Sequence, residues 1–316
     1  MVSAKNYLKM ITIFITLMYL VITSINYIID PYWKFDFAPS NTIVGVNNQI
    51  SEYSMAHVYP ELMLQRQKRM LQKSLADTVV IGSSRSLRGL NTCGDQNIQK
   101  VGFFGISQYL TMQLFETTMS SSSKKNIFIE LGSLLNNNEL PSTRLTSFEA
   151  LFSTRILFNS LSNFYESYST QQKYPLCNIS TGQRREWRSD KIEMQQTIYQ
   201  NSSSLIEPIM ERIALLCKGS QRNKNNPLNI ILYIDPVNPN LVSYDKLVAI
   251  KQTLEDIIIK HNFGEQCSLK TEIFQESKEI NQQENWFDFN HYKPALGTLF
   301  LEKMINRQLD TNKKLQ

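Results

Sequence analysis

Histidine is scarce in this chain. His57, His261 and His291 are the only three in 316 residues, so imidazole chemistry rests on one of them. The four cysteines, Cys93, Cys177, Cys217 and Cys267, form no Cys-x-x-Cys pair, and only His261 lies near any of them, which argues against a zinc site. Outside the cytosol they allow two disulfides, in any of three pairings. A net charge of +5 is modest, and the basic residues are scattered, with Arg184, Arg185 and Arg188 the nearest to a cluster. Nucleic-acid binding is therefore not indicated. No internal repeat is present. Met10 to Ile29 lacks any charged residue. At ~1.5 Å rise per residue it is long enough to cross a ~30 Å hydrocarbon core. It also lacks glycine, which excludes a Gly-x-x-x-Gly pairing motif. Lys5 and Lys9 precede the stretch, and Tyr27, Tyr32, Trp33, Phe35 and Phe37 gather at its far end. These flanks predict one transmembrane helix with a cytoplasmic N-terminus and the chain from about Asp30 outside. Val21 to Asn26 offers no small-x-small cleavage pattern, so the helix is read as a retained anchor and not as a signal peptide.

With 42% apolar and 19% charged residues, the remainder can bury a substantial core. The sequence divides into residues 1–37, anchor and juxtamembrane segment, and residues 38–316, an extracytoplasmic domain. Apolar, β-branched runs predict strands at Val79–Ile81, Lys100–Ser107, Lys125–Leu131, Asn229–Pro236 and Leu269–Phe274. Between them, helical spacing marks Tyr59–Leu75, Gln108–Thr118, Phe148–Phe164, Ile192–Leu216, Leu247–Ile259 and Pro294–Ile305. Alternating strands and helices predict a three-layer α/β/α domain around a mostly parallel sheet of about five strands with right-handed crossovers. A long polar excursion from about Tyr168 to Asp190 interrupts the pattern, and such loops are often functional.

Chemistry concentrates at two places. The first strand runs into Gly82-Ser83-Ser84, where a sharp turn presents hydroxyls at the carboxyl end of the sheet. Far downstream, Asp288 precedes His291 by three residues in a loop before the closing helix. One loop can thus present a carboxylate that fixes an imidazole and an imidazole that takes a proton from Ser84. His57 and His261 have no such partner and read as structural or solvated. Arg85, beside Ser84, would either pair with an anionic substrate or brace the loop. Trp187, among the three arginines, would either stack on a sugar or pack as an ordinary surface ring.

From about Thr78 to Ile305 these blocks resemble the SGNH (GDSL-like) hydrolase superfamily, and within it the membrane-anchored DltD-like and alginate-acetylation-type branch. The resemblance implies a flavodoxin-like SGNH fold with Ser84 as nucleophile and Asp288 and His291 completing a triad. It makes Gly105 the second-block glycine, whose N–H joins that of Ser84 in the oxyanion hole. Leu134 stands where the family's third block has asparagine, which leaves Asn136 or Asn238 as candidates for a further donor. The implied activity is that of a serine esterase or O-acyltransferase on acyl esters of a cell-envelope polysaccharide or related surface polymer. No metal or other cofactor is required. The alternative is a non-catalytic accessory protein of the same fold that binds a glycan or a membrane-bound transferase. Expected partners are membrane lipid, an envelope glycan and a membrane-bound acyltransferase. The expected place is the inner (cytoplasmic) membrane, crossed once, with the main domain periplasmic or extracellular.

Overall fold

The computed structural model describes residues 4–29, 60–90, 97–102, 105–121, 123–137, 146–154, 156–158, 160–161, 202–220, 227–239, 241–274, 278–286 and 291–314. By contacts the chain falls into two units, Met1–Arg66 with Pro141–Pro175, and Gln67–Leu140 with Leu176–Gln316.

In the first unit α1 spans Ala4–Ile29, a helix long and apolar enough to cross a membrane. In chain order there follow α2 (Pro60–Lys73), β1 (Thr78–Gly82), α3 (Ser84–Gly89), β2 (Ile98–Gly102), α4 (Gln108–Met119), β3 (Asn126–Glu130), α5 (Leu131–Leu134) and α6 (Ser147–Phe152). The order continues with α7 (Ser202–Lys218), β4 (Leu228–Ile234), α8 (Tyr244–Lys260), β5 (Cys267–Ile273) and α9 (Pro294–Lys314). Of these later elements, α6 and the first half of α2 as far as Arg66 belong to the first unit together with α1.

The second unit is built on five parallel strands in the order β2-β1-β3-β4-β5. Helices cover both faces, so the strands are apolar at successive positions instead of alternating. On one face Val80, Phe128, Ile231 and Tyr233 pack with Leu296, Phe300 and Met304 of α9. Their neighbours Val79, Ile81, Ile127, Ile129, Ile230 and Leu232 point to the other face by the two-residue period and are equally buried. The order reverses between β1 and β3, and in open α/β sheets the crevice at such a switch point is where ligands are held. Cys217 near the end of α7 is disulfide-bonded to Cys267 at the start of β5. Cys93 and Cys177 lie outside the described residues.

Two elements differ from expectation for identifiable reasons. The second strand ends at Gly102 and does not run on to Ser107. Gly102 is paired with Gly82 and has φ +134°, and a side chain there would meet the Gly82 carbonyl oxygen at 1.9 Å. Phe148–Phe164, expected as one helix, is interrupted at Ser153. The Asn26 amide of α1 donates to the Leu151 and Ser153 carbonyls at that break, at 2.8 and 3.3 Å.

Candidate active site at the carboxyl end of the sheet

Ser84 is the first residue of α3, a short helix that starts where β1 stops. Ser83 caps it, its hydroxyl accepting from the Arg85 N–H. The other half of the site comes from a loop closed on itself by an antiparallel bridge between Trp286 and Tyr292. Trp286 is buried, its indole N–H donates to the Ile280 carbonyl at 2.9 Å, and its ring meets Tyr292 edge-on with centroids 6.5 Å apart. Lys293 N–H adds a bond to the Asn285 carbonyl at 2.8 Å. With the loop's base pinned in this way, His291 Nε2 lies 2.9 Å from Ser84 Oγ across 207 positions of sequence. That distance is within hydrogen-bond reach for moving a proton from a hydroxyl to an imidazole. Asp288 lies outside the described residues.

Beneath this pair lies a buried polar network. The Ser83 N–H donates to Glu130 Oε2, and the Ser83 hydroxyl donates to Glu130 Oε1 at 2.8 Å. Arg85 reaches the same carboxylate through Nη2 at 2.6 Å and Nε at 3.1 Å, and its Nε lies 3.8 Å from Asp235 Oδ2. Tyr292, next to His291, donates to Asp235 Oδ1 at 2.6 Å. Ser86 ties the two acids together, with Oγ at 2.8 Å from Glu130, 3.0 Å from Asp235 and 2.8 Å from the Tyr233 hydroxyl. The residues beside Ser84 and beside His291 are therefore fastened to one rigid cluster. Two glycines make room for it. A side chain at Gly82 would meet Ser86 Oγ at 2.4 Å, and one at Gly132 would meet Arg85 Nη2 at 2.2 Å.

The two carboxyls are pushed apart in charge. Burial drives Glu130 upward, but Arg85 and the bonds from Ser83 and Ser86 outweigh it and hold the group below the ordinary carboxylate range. Burial and the neighbouring Glu130 charge raise Asp235 well above that range, with Arg85, Tyr292 and Ser86 offsetting only part. Proton counting agrees that one of the two is protonated. Ser86 has one hydroxyl proton and three oxygen neighbours, one of which, Tyr233, brings its own proton. Both carboxyls cannot then be bare acceptors toward Ser86. A neutral Asp235 beside an ionised Glu130 satisfies all three contacts and leaves one anion for one guanidinium. Burial above all, with the neighbouring carboxyls, also keeps Tyr233 and Tyr292 far above their usual range as neutral donors.

The other residues singled out in the sequence fall as follows. Gly105 occupies a turn with φ +67°, the left-handed region that favours glycine. The Asn136 side-chain amide donates to the Gly105 and Ile106 carbonyls, at 3.2 and 2.9 Å, and the Asn136 main-chain carbonyl accepts from the Gln108 N–H. Asn136 thereby braces the Gly105 turn. Asn238 is buried after β4, its carbonyl accepting from Leu241 N–H. Leu134 is buried in α5. Arg85 is 6% exposed with its guanidinium on Glu130, which is the bracing arrangement and not that of a group presented to an anionic substrate. Trp187 and its neighbouring arginines lie outside the described residues. Among the described residues, no group of three or more histidine, cysteine or acidic side chains is arranged to hold a metal.

Glu130, Asp235, Ser86, Tyr233 and Tyr292 are central here, and sequence reasoning did not select them. A signal was available. Glu130 and Asp235 each directly follow an apolar run within a strand, and β3 and β4 are neighbours, so two acids arrive together at the carboxyl edge of the sheet. No protein-family model, curated protein or solved structure matches this chain.

Proposed function

We propose that this chain is a membrane-anchored serine esterase or O-acyltransferase with the flavodoxin-like SGNH fold, acting on acyl esters of a cell-envelope polysaccharide or related surface polymer. The observation that carries the reading is the 2.9 Å contact of Ser84 Oγ with His291 Nε2 at the carboxyl end of a parallel sheet. Ser84 Oγ attacks the acyl carbon while His291 takes its proton, and the N–H groups of Ser84 and Gly105 stabilise the oxyanion. Collapse returns that proton to the departing alcohol and leaves the acyl group on Ser84. Water or a sugar hydroxyl then attacks the acyl-enzyme, with His291 again the base and Asp288 fixing its tautomer. The disulfide supports a domain outside the cytosol, where such bonds persist, and α1 with Lys5 and Lys9 in its first turns supports anchorage with that orientation.

One observation favours the second reading, a non-catalytic accessory protein that binds a glycan or a membrane-bound transferase. Leu134 replaces the expected asparagine, and Asn136 is committed to backbone carbonyls, so the backbone N–H groups stand without a side-chain donor from either position. Loss of one oxyanion donor costs about 2.7–4 kcal/mol of transition-state stabilisation. A fluorophosphonate probe applied to the full-length protein in detergent separates the two. The enzyme reading expects labelling that disappears in Ser84→Ala, whereas a folded wild-type protein without Ser84-dependent label overturns it in favour of the accessory role.

A further inference from the structure

We propose that residues 147–161 form a second membrane-binding element, a re-entrant segment that places Phe148, Phe158 and Leu161 among the acyl chains of the leaflet holding the C-terminal end of α1. The inference rests on the reading of α1 as a membrane anchor and adds to it a contact surface.

The first unit supplies the argument. Along α1 nearly every side chain from Thr12 to Val21 is exposed, but Ile22 and Asn26, one turn apart on one face, are buried. What covers them is the 147–161 segment. Asn26 is satisfied entirely by it, donating to the Leu151 and Ser153 carbonyls and accepting from the Ser160 hydroxyl at 3.1 Å. A polar side chain in an apolar helix that finds three partners on another segment fastens that segment beside it. The carbonyls it serves flank the helix break at Ser153, and that of Ser153 also accepts from the Leu157 N–H at 3.0 Å. Carbonyls at an interrupted turn that are held by a neighbouring helix suit a setting where water is absent.

Depth follows from the ring contacts. Phe152 meets Tyr19 with centroids 6.1 Å apart, and Phe148 stacks on Phe152 at 4.8 Å. Tyr19 lies ten positions before Ile29, or ~15 Å along the axis at the usual helical rise. The rings are thus carried along the apolar wall of α1 and not around its polar end. Phe148 and Phe158 are each 70% exposed and Leu161 is 44% exposed, so the apolar side chains left over point away from the unit. The segment carries Glu149 and Arg155 within its length, so it does not cross a bilayer and enters one leaflet only. Lipid is the occupant these facts select, because the exposed rings continue the exposed apolar surface of α1 itself.

The test uses the full-length protein at one copy per nanodisc, with phosphatidylcholine bearing a diazirine on its acyl chain, followed by photolysis and peptide mass spectrometry. Adducts are expected on α1 and, at comparable yield, on peptides spanning 147–161, with a β4 peptide as the unlabelled control. The Phe148→Ser/Phe158→Ser chain is expected to lose the adducts on 147–161 and keep those on α1. Adducts confined to α1 overturn the proposal while leaving the anchor intact, as expected if the segment instead docks a protein above the membrane. Absence of adducts from both overturns the anchor reading as well. Adducts on 147–161 that persist in the double variant overturn the assignment of these rings as the inserted face.

Discussion

Two buried carboxyls share one guanidinium beneath Ser84, and they answer differently to replacement. Glu130→Gln removes the anion that Arg85 faces and strands a buried cation, which costs about 3–5 kcal/mol. Asp235→Asn exchanges a neutral acid for a neutral amide, so below the ordinary carboxylate range, where the unfolded chain is protonated as well, its effect should stay within about 1 kcal/mol, the worth of one hydrogen bond. Denaturant midpoints of the two variants against wild type check the contrast. The pH dependence has opposite signs at the two sites. Glu130 is held low, so the stability it contributes is present above the ordinary carboxylate range and is lost as pH falls through its folded value. Asp235 is held high, so the unfolded chain ionises it first and wild type loses stability as pH rises through the ordinary carboxylate range. Asp235→Asn should therefore gain on wild type between acidic and neutral pH. A flat difference across that interval would show that Asp235 is ionised in the folded protein.

At the level of elements, α3 and α9 meet through glycine. A side chain at Gly297 would lie 1.9 Å from the Gly89 carbonyl oxygen, and one at Gly89 would lie 2.0 Å from the Tyr292 ring. Gly297→Ala must push the helices apart, at about 1–3 kcal/mol for overpacking. Because Tyr292 adjoins His291 and α3 begins with Ser84, the same shift opens the Ser84–His291 contact. Fluorophosphonate labelling of this variant is expected to slow in samples whose circular dichroism remains native. Labelling at the wild-type rate would mean that the pair is held independently of this packing. The elements themselves were largely legible in the sequence, since strands covered on both faces leave apolar runs such as Val79–Ile81 and Ile230–Leu232. Ser84 and His291 were legible too, because one follows a strand-ending glycine and the other has an acid three residues before it. Less local features were not. The break at Ser153 is bonded by Asn26, 127 positions earlier, and nothing near Ser153 announces it. An acid after a strand is also what an ordinary turn shows, so Glu130 and Asp235 stood out only once β3 and β4 were known to be neighbours. Arg85 had two readings in sequence that only burial and a carboxylate partner could separate.

Across the whole molecule, the disulfide joins α7 to β5, an edge strand of the sheet, over a separation of 50 residues. Closing a loop of that size removes unfolded-state entropy worth about 4 kcal/mol in the chain-entropy account. Reduction, or Cys217→Ser with Cys267→Ser, should lower the denaturation midpoint accordingly. An unchanged midpoint would show that the bond contributes nothing to holding the sheet edge. The 207 positions between Ser84 and His291 carry a further consequence, one of timing. Synthesis runs from the N-terminus, so α1 is made first, the serine next, and the imidazole only after all five strands. Until the last strand has joined and the Trp286–Tyr292 loop has closed, the hydroxyl has no base beside it. Whatever reactivity the pair possesses is withheld from a half-made chain.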